Sequence, residues 1–165
     1  METALYLEKF QQAVNSMDKQ LFVQNNLELK VGVWIDSVVL KIQKKAWLGN
    51  SPSAKPFSSS VFFSVWTSDK SIGKSQLLYN IHALKLREVK GYTLRSRDFA
   101  ADFRSRFKPF ENQWPNVSTQ FGPLTLMEGY MNIDTDNFER EITELALKFT
   151  SIQFIIDDLF AARKK

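Results

Sequence analysis

Apolar residues near the end of the chain recur with a spacing that only a long helix can satisfy. They stand four and three residues apart in alternation: Phe138, Ile142, Leu145, Phe149, Ile152, Ile156 and Leu159. This spacing predicts a helix of about 26 residues, roughly 39 Å long at 1.5 Å per residue, with one apolar side. Asp136 and Glu139 are predicted to cap its start as a capping box. The apolar side must be buried, so the rest of the chain has to supply a broad apolar partner.

A second region follows the period of a β-strand. Residues 27–35 alternate strictly, with Leu or Val at 27, 29, 31 and 33 and Ile35 at the end. Alternation of this kind is typical of a half-buried strand. The phase breaks at Asp36-Ser37 and resumes at Val38, which predicts a turn or bulge and a second strand over 38–48. A helix over 33–47 also fits the spacing, but the many Val and Ile residues favour strands.

The two periods together predict one α+β domain over residues 1–165, a length that suits a single domain. The predicted sheet is mainly antiparallel. Three helices pack on one of its faces: an N-terminal helix, a middle helix anchored by Phe residues, and the long C-terminal helix. The remaining expectations are a helix at 2–17, a loop at 49–60, a central strand at 61–66, a strand at 77–89 paired with 61–67 in a hairpin (a helix also fits), a helix at 97–108 capped by Ser96, and a strand at 120–133 kinked at Gly122-Pro123.

Composition narrows the chemistry. The chain has no cysteine, which excludes disulfides, thiolate metal sites and a cysteine nucleophile. Its one histidine, His82, has no G-x-S-x-G nucleophile motif to accompany it and is expected to be a core or edge residue. The N-terminus lacks a signal-peptide pattern, and no window approaches the roughly 18 continuous apolar residues of a membrane span. We therefore expect a cytoplasmic protein without catalytic residues, metal, cofactor or membrane contact.

The stretch "VWTSDKSIGKSQLL" (65–78) has the layout of a nucleotide-binding P-loop, because β-forming residues lead to Gly73-Lys74-Ser75. A P-loop also needs glycine five positions before Gly73, where the backbone turns tightly beside the phosphate. Ser68 occupies that position. The second apparent P-loop feature, "IIDD", falls within the predicted C-terminal helix, with Asp157-Asp158 facing solvent. The stretch is better interpreted as a hairpin loop in which Gly73 takes a positive φ.

Two tripeptides suggest a different enzyme. Glu88-Val89-Lys90 and Glu28-Leu29-Lys30, each in or at the end of a strand-like run, resemble the E-x-K motif of metal-dependent nucleases of the restriction-endonuclease type. The resemblance implies carboxylates that hold Mg²⁺ and a lysine that steadies the attacking water or the phosphate. A hairpin centred near residue 72 places Asp69 at the turn, some 26 Å from Glu88 at 3.3 Å per residue. One metal ion cannot bridge that distance. The geometry therefore argues against a nuclease, which is kept only as an alternative function.

Charge is distributed unevenly along the chain. Residues 41–108 hold 14 basic and four acidic residues, a balance of +10, whereas residues 1–40 and 109–165 have balances of −2 and −4. This predicts a central surface for a polyanion, with nucleic acid as the expected ligand. In the middle helix, Phe99, Phe103 and Phe107 share the buried face, and Arg97, Arg104 and Lys108 share another. The predicted polyanion-binding residues are Lys85, Arg87, Lys90, Arg95, Arg97, Arg104 and Lys108.

The C-terminal helix also predicts assembly. Phe154, Ile155 and Phe160 widen its apolar stripe to a second face, which the thin stripe of the first helix covers poorly. We therefore predict a homodimer with these three residues at or near the interface. A structural or scaffold protein that acts through the C-terminal helix, without nucleic acid, is the second function class.

Overall fold

Both apolar periods appear in the structure as regular elements. The computed structural model describes residues 2–48, 60–134 and 136–165. The helices are α1 (Thr3–Ser16), α2 (Gln20–Gln24), α3 (Asp69–Gly73), α4 (Ser96–Phe107) and α5 (Phe138–Ala161). The strands are β1 (Leu27–Trp34), β2 (Ser37–Lys44), β3 (Ser60–Thr67), β4 (Gln76–Leu84) and β5 (Thr125–Asn132). Short 3-10 segments follow β2, β4 and α4 at Lys45–Trp47, Leu86–Glu88 and Lys108–Gln113.

The five strands form one antiparallel sheet in chain order, β1-β2-β3-β4-β5. β1 and β2 pair without interruption from Leu27 opposite Lys44 to Trp34 opposite Ser37. β3 and β4 form the predicted hairpin centred at residue 72, since Trp66 is opposite Leu78 and Ser60 is opposite Leu84. The register shifts once between β4 and β5, at Ile81 and His82.

Helices α1, α4 and α5 pack on one face of the sheet, which confirms the predicted α+β architecture. All seven residues of the 4-3 stripe of α5 are buried. Phe149 stacks on Phe63 of β3 with ring centroids 4.6 Å apart and nearly parallel planes. Phe138 meets Phe10 of α1 edge-on at 5.7 Å. The long helix is therefore held by both the central strand and the first helix, as offset and edge-on aromatic pairs allow.

The opposite face of the sheet carries a polar row across all five strands. The register aligns its members as Lys30, Lys41, Ser64, Asn80 and Glu128. Asn80 accepts a hydrogen bond from the Ser64 hydroxyl and donates to the Glu128 carboxylate. The Lys41 ammonium lies 4.4 Å from the ring centroid of Trp34. Burial, with help from the nearby charge of Lys30, lowers the pKa of Lys41.

The turn between β1 and β2 is unusual in its residues. Ile35 and Asp36 have φ of 46° and 61°, the pair of left-handed conformations that a two-residue type I′ turn requires. Asn and Gly favour this region, whereas a β-branched residue there is an outlier with a strain of about 1–3 kcal/mol. Ile35 is also 97% exposed, so burial gives no compensating stability in the monomer. The turn falls one residue earlier than the predicted Asp36-Ser37, and Ile35 is not part of the strand.

The β3–β4 connection corrects the predicted hairpin loop. The connection is a helical turn, α3, because Ser68 caps it in a reciprocal capping box with Ser71. Gly73 lies inside α3 without a positive φ; the left-handed residue is Ser75, at φ 54°. A short helix between two antiparallel strands is not the strand–loop–helix arrangement of a P-loop.

Several predicted ends were also wrong. β4 stops at Leu84, because Lys85 turns to a left-handed φ of 51°. Ser96 is the first residue of α4 and does not cap it. The predicted Asp136–Glu139 capping box is absent among the described residues: Asn137 precedes α5, and the Asp134 carboxylate accepts from the backbone N–H groups of residues 136 and 137. β5 begins only at Thr125, after Gly122-Pro123. The predicted loop at 49–60 lies outside the described residues except for Ser60, which begins β3.

Candidate polyanion-binding groove

The connection from β4 to α4 is folded against the C-terminal end of the described chain. Left-handed Lys85 and Gly91 reverse its direction, while Leu86, Val89 and Leu94 are buried under it. Its backbone then runs alongside residues 163–165: the N–H of Thr93 donates to the carbonyl of Arg163 at 2.8 Å, and the N–H of Lys165 donates to that of Gly91 at 2.9 Å. The polar surfaces of the connection, the start of α4 and the chain end are thus brought together.

These three parts enclose an open groove of about 840 Å³, here called the basic groove. Four cationic side chains line it: Arg87, Arg95, Arg97 and Lys165. None of the four forms a side-chain hydrogen bond or ion pair with any residue that the structure describes. They come from three separate parts of the chain, so only the tertiary fold brings them together.

Asp98 is the one acid among the described residues that line the groove, and Arg163 neutralises it. The Arg163 guanidinium donates to Asp98 at 3.2 Å and to Asp102 at 3.0 Å. Burial alone would raise the pKa of Asp102, but the hydrogen bonds and charges of Arg163 and Arg106 outweigh it and hold that pKa below its ordinary value. Arg163 thus pairs with both acids, the Asp102 carboxylate keeps its charge at neutral pH, and the four cations without a partner among the described residues determine the sign of the groove.

Arg104, predicted to bind the polyanion, is engaged with its own chain. Its guanidinium donates to four backbone carbonyls, those of Phe121, Gly122, Thr125 and Leu126, at 2.9–3.2 Å. A planar group with five donors is suited to gathering carbonyls in this way. Arg104 thus fixes the loop before β5 to α4, and the stripe predicted along α4 is interrupted at its middle.

Three other predicted residues lie outside the groove. Lys85 and Lys90 are exposed on the same connection as Arg87 without lining it, and Lys108 is exposed at the far end of α4. Eleven residues separate Lys108 from Arg97, or about 16 Å along a helix. The structure therefore brings together Arg87, Arg95 and Arg97 of the seven. It adds Lys165, whose only sequence signal was the basic run Arg163-Lys164-Lys165.

Of the three predicted dimer residues, two are buried in the monomer and one is exposed. Ile155 and Phe160 are 1% and 4% exposed, so they are buried within the monomer. Phe160 packs edge-on against Tyr92 at 5.2 Å and close to Phe99 of α4 at 5.7 Å. Phe154 is 42% exposed and contacts Phe110. The second face of α5 is thus covered by α4 and the groove connection, which sequence reasoning did not consider as cover.

The residues considered for catalysis do not meet. Within 2–48, 60–134 and 136–165, no three His, Asp or Glu side chains group closely enough to hold a metal ion. Asp69 lies on α3 at the β3–β4 turn, and Glu88 lies beyond the opposite end of β4. His82 faces Phe62, and its Nδ1 is 3.4 Å from the Leu124 carbonyl and from the Thr125 hydroxyl.

Sequence reasoning missed one polar cluster. Asp157, expected to face solvent, accepts from the Lys44 ammonium at 2.5 Å and from the Trp47 indole N–H at 2.9 Å. Lys44 is largely buried, with its side chain 10% exposed. The apolar spacing of α5 placed Asp157 next to the buried stripe. Only the fold shows that Lys44, at the end of β2, lies beside Asp157. The cluster ties α5 to the end of β2.

No described helix is both long enough and apolar enough to cross a membrane. Comparison of the chain with protein-family models, curated proteins and solved structures finds no match.

Proposed function

We propose that this protein binds nucleic acid through the basic groove and does not catalyse a reaction on it. The observation that supports the proposal is the convergence of Arg87, Arg95, Arg97 and Lys165 on one open groove, where none of the four has a partner among the residues that the structure describes. Cations held close together without counter-charges favour a ligand with closely spaced negative charges. The phosphates of a nucleic acid backbone supply them.

The expected binding is electrostatic and independent of sequence. Each cation that neutralises a phosphate releases a counterion, so four contacts predict a slope of about −3 to −4 in log K against log salt. Binding of this kind is micromolar or weaker at physiological salt. We expect the four cations to contact phosphates and not base edges, so DNA and RNA of different sequence should bind alike.

The test compares two variants with the same change in net charge. Arg87→Ala/Arg95→Ala/Arg97→Ala removes three groove cations. Lys19→Ala/Lys74→Ala/Lys108→Ala removes three exposed lysines outside it. Anisotropy of labelled 20-mer DNA and RNA is measured between 50 and 200 mM salt. The groove variant should lose at least about tenfold in affinity, with a slope shallower by about 3, while the control changes little. Equal losses in both variants would contradict a specific groove.

The second candidate is a scaffold protein that acts through α5, and the exposed Leu147 and Phe154 support it. Such a protein should show no salt-dependent binding to either 20-mer. A Mg²⁺-dependent nuclease should cleave them, and we expect no cleavage. The cytoplasmic location and the homodimer stay predictions.

A further inference from the structure

The first strand of the sheet has an open side. β1 pairs with β2 along all eight residues, and no residue that the structure describes pairs with its other side. It has no proline and no bulge. In an antiparallel ladder every second residue directs its N–H and C=O away from the partner strand. The open side therefore presents groups that an added strand can satisfy.

Apolar side chains are exposed at both ends of this edge. Ile35 follows β1 and is 97% exposed, and Val23 in α2, four residues before β1, is 70% exposed. They are the two most exposed large apolar side chains among the described residues. Val33, near the end of β1, is 47% exposed. Ile35 is also held in a strained left-handed conformation that a turn alone would assign to Asn or Gly.

An open cleft lies at the N-terminal end of β1. Its volume is about 700 Å³, and Val23, Leu27 and Ala46 form its apolar part. The Lys44–Asp157 pair lies on its polar side. The chain thus has a projecting apolar residue at one end of the edge and an apolar recess at the other.

We propose that two copies of this chain pair through their β1 edges, antiparallel about a two-fold axis, so that Ile35 of each copy enters the cleft of the other. Antiparallel pairing places the end of one β1 beside the start of the second. Both the projection and the recess are present in every copy, so the two-fold axis uses each of them twice. That self-complementarity indicates a second copy of the chain as the occupant.

The proposed contact of Ile35 with the cleft at the start of β1 fixes the register, and the side chains of β1 are compatible with it. With Val31 opposite Val31 of the second copy, Leu29 is opposite Val33, so the inner face of the joined strands stays apolar, and the turn residue Ile35 lies beside Leu27 at the cleft. On the outer face Lys30 then lies opposite Gly32. A register centred on Lys30 would place two lysines directly opposite, which is destabilising. The pairing is independent of the proposed nucleic acid binding, because the basic groove lies beyond β4.

The experiment measures mass by light scattering at concentrations up to tens of micromolar. The wild type should give about twice the 19.1 kDa of one chain. Ile35→Asn should raise the dissociation constant at least about tenfold, because it removes the inserted side chain. Asn is suited to the left-handed turn, so this variant should fold. Phe154→Asn is the matched control on α5 and should remain dimeric.

A second readout uses the absence of cysteine in the chain. Val31→Cys should form a covalent dimer with a short bifunctional thiol cross-linker, because residues directly opposite across two strands bring their Cβ atoms to about 4.5–5.5 Å, somewhat beyond the separation of a relaxed disulfide. Phe154→Cys should stay monomeric on a denaturing gel. The proposal is overturned by a monomeric wild type, by a dimer that survives Ile35→Asn, or by cross-linking of Phe154→Cys in place of Val31→Cys.

Discussion

The two edges of the sheet are treated differently. The outer side of β5 is closed by the chain before it: Ser118 and Glu128 exchange backbone hydrogen bonds of 2.8 and 3.0 Å, and the Asn116 amide donates to the Tyr130 carbonyl. The outer side of β1 has no such partner among the described residues. Exposed edges invite pairing with other chains, and proteins usually block them.

Closing the β5 edge uses several side chains from elsewhere in the fold. The Tyr79 hydroxyl donates to the Pro115 carbonyl at 2.6 Å, and Arg104 holds the carbonyls of Phe121 and Thr125. The same chain leaves β1 open and places an exposed, strained Ile35 at its end. Among the described residues, a closed β5 edge beside an open β1 edge is the arrangement that the proposed pairing of two β1 strands requires.

Among the substitutions that test the difference between the two edges, Arg104→Ala should have the largest effect on the free energy of unfolding. It removes charged donors to four carbonyls, some of them partly buried, and should lower the free energy of unfolding by about 3 kcal/mol. Urea unfolding measures the change. Arg97→Ala, on the same helix but exposed, is the control and should change stability by less than about 0.5 kcal/mol. Equal effects would mean that the carbonyl contacts of Arg104 contribute little.

A glycine in each edge strand tests the two edges with the same substitution. A Cβ on Gly129 of β5 would meet the Tyr79 hydroxyl and lie 2.9 Å from the Pro115 carbonyl, which are fixed to each other. The three atoms nearest to a Cβ on Gly32 of β1 all belong to the ring of Trp34, the closest at 2.7 Å, and that ring is partly exposed and can move.

Gly129→Ala should therefore destabilise the protein by about 2 kcal/mol, and Gly32→Ala by less than about 1 kcal/mol. Thermal and urea unfolding of the two variants side by side give the comparison. If Gly32→Ala proved the more harmful, the β1 edge would be the more tightly packed of the two, contrary to the contrast drawn here.

Sequence patterns predicted the elements whose burial follows one period. The 4-3 stripe of α5 and the alternation of β1 survive because each side chain simply faces the core or does not. Element ends failed where a single backbone angle decided: Lys85 and Ser75 are left-handed without being glycine, and Ser68 caps a helix that spacing alone did not indicate. Such choices depend on tertiary contacts that no local pattern records.

The candidate groove was only half predictable. Charge counting located the basic middle of the chain, and Arg87, Arg95 and Arg97 do line one groove. It could not predict that Arg104 donates to backbone carbonyls. Nor could it predict that Lys165, 67 residues after Asp98 in the chain, lines the same groove as Asp98. Whether a basic side chain is available to a ligand or is bonded within its own chain depends on where its possible acceptors lie, and only the fold shows that.

His82 should make the β5 side of the sheet sensitive to acid. Burial lowers the pKa of His82 and outweighs the Leu124 carbonyl and Glu128, which raise it. A base whose pKa is lowered by folding contributes full stability above its unfolded value of 6.5, and that stability is lost as pH falls through the folded pKa. His82→Gln should therefore lose less stability than the wild type between pH 7.5 and pH 5. Urea unfolding midpoints of both proteins at pH 7.5 and pH 5 measure this. An equal loss of stability in the two proteins would show that His82 is not the titrating group.

The smallest expected effect separates strain from exposure at the β1 edge. Ile35→Asn should raise the free energy of unfolding of the monomer by about 0.5–1 kcal/mol, because Asn tolerates the left-handed φ that a β-branched residue resists. Val33→Asn, also partly exposed but in extended backbone, should lower it by up to about 1 kcal/mol, because Val favours strands. Urea unfolding at concentrations where light scattering gives monomer measures both. Opposite signs would show that Ile35 is retained against the stability of the monomer, as expected of a residue whose contacts form only in the pair. A loss of stability in both variants would instead mean that Ile35 supports its own hairpin.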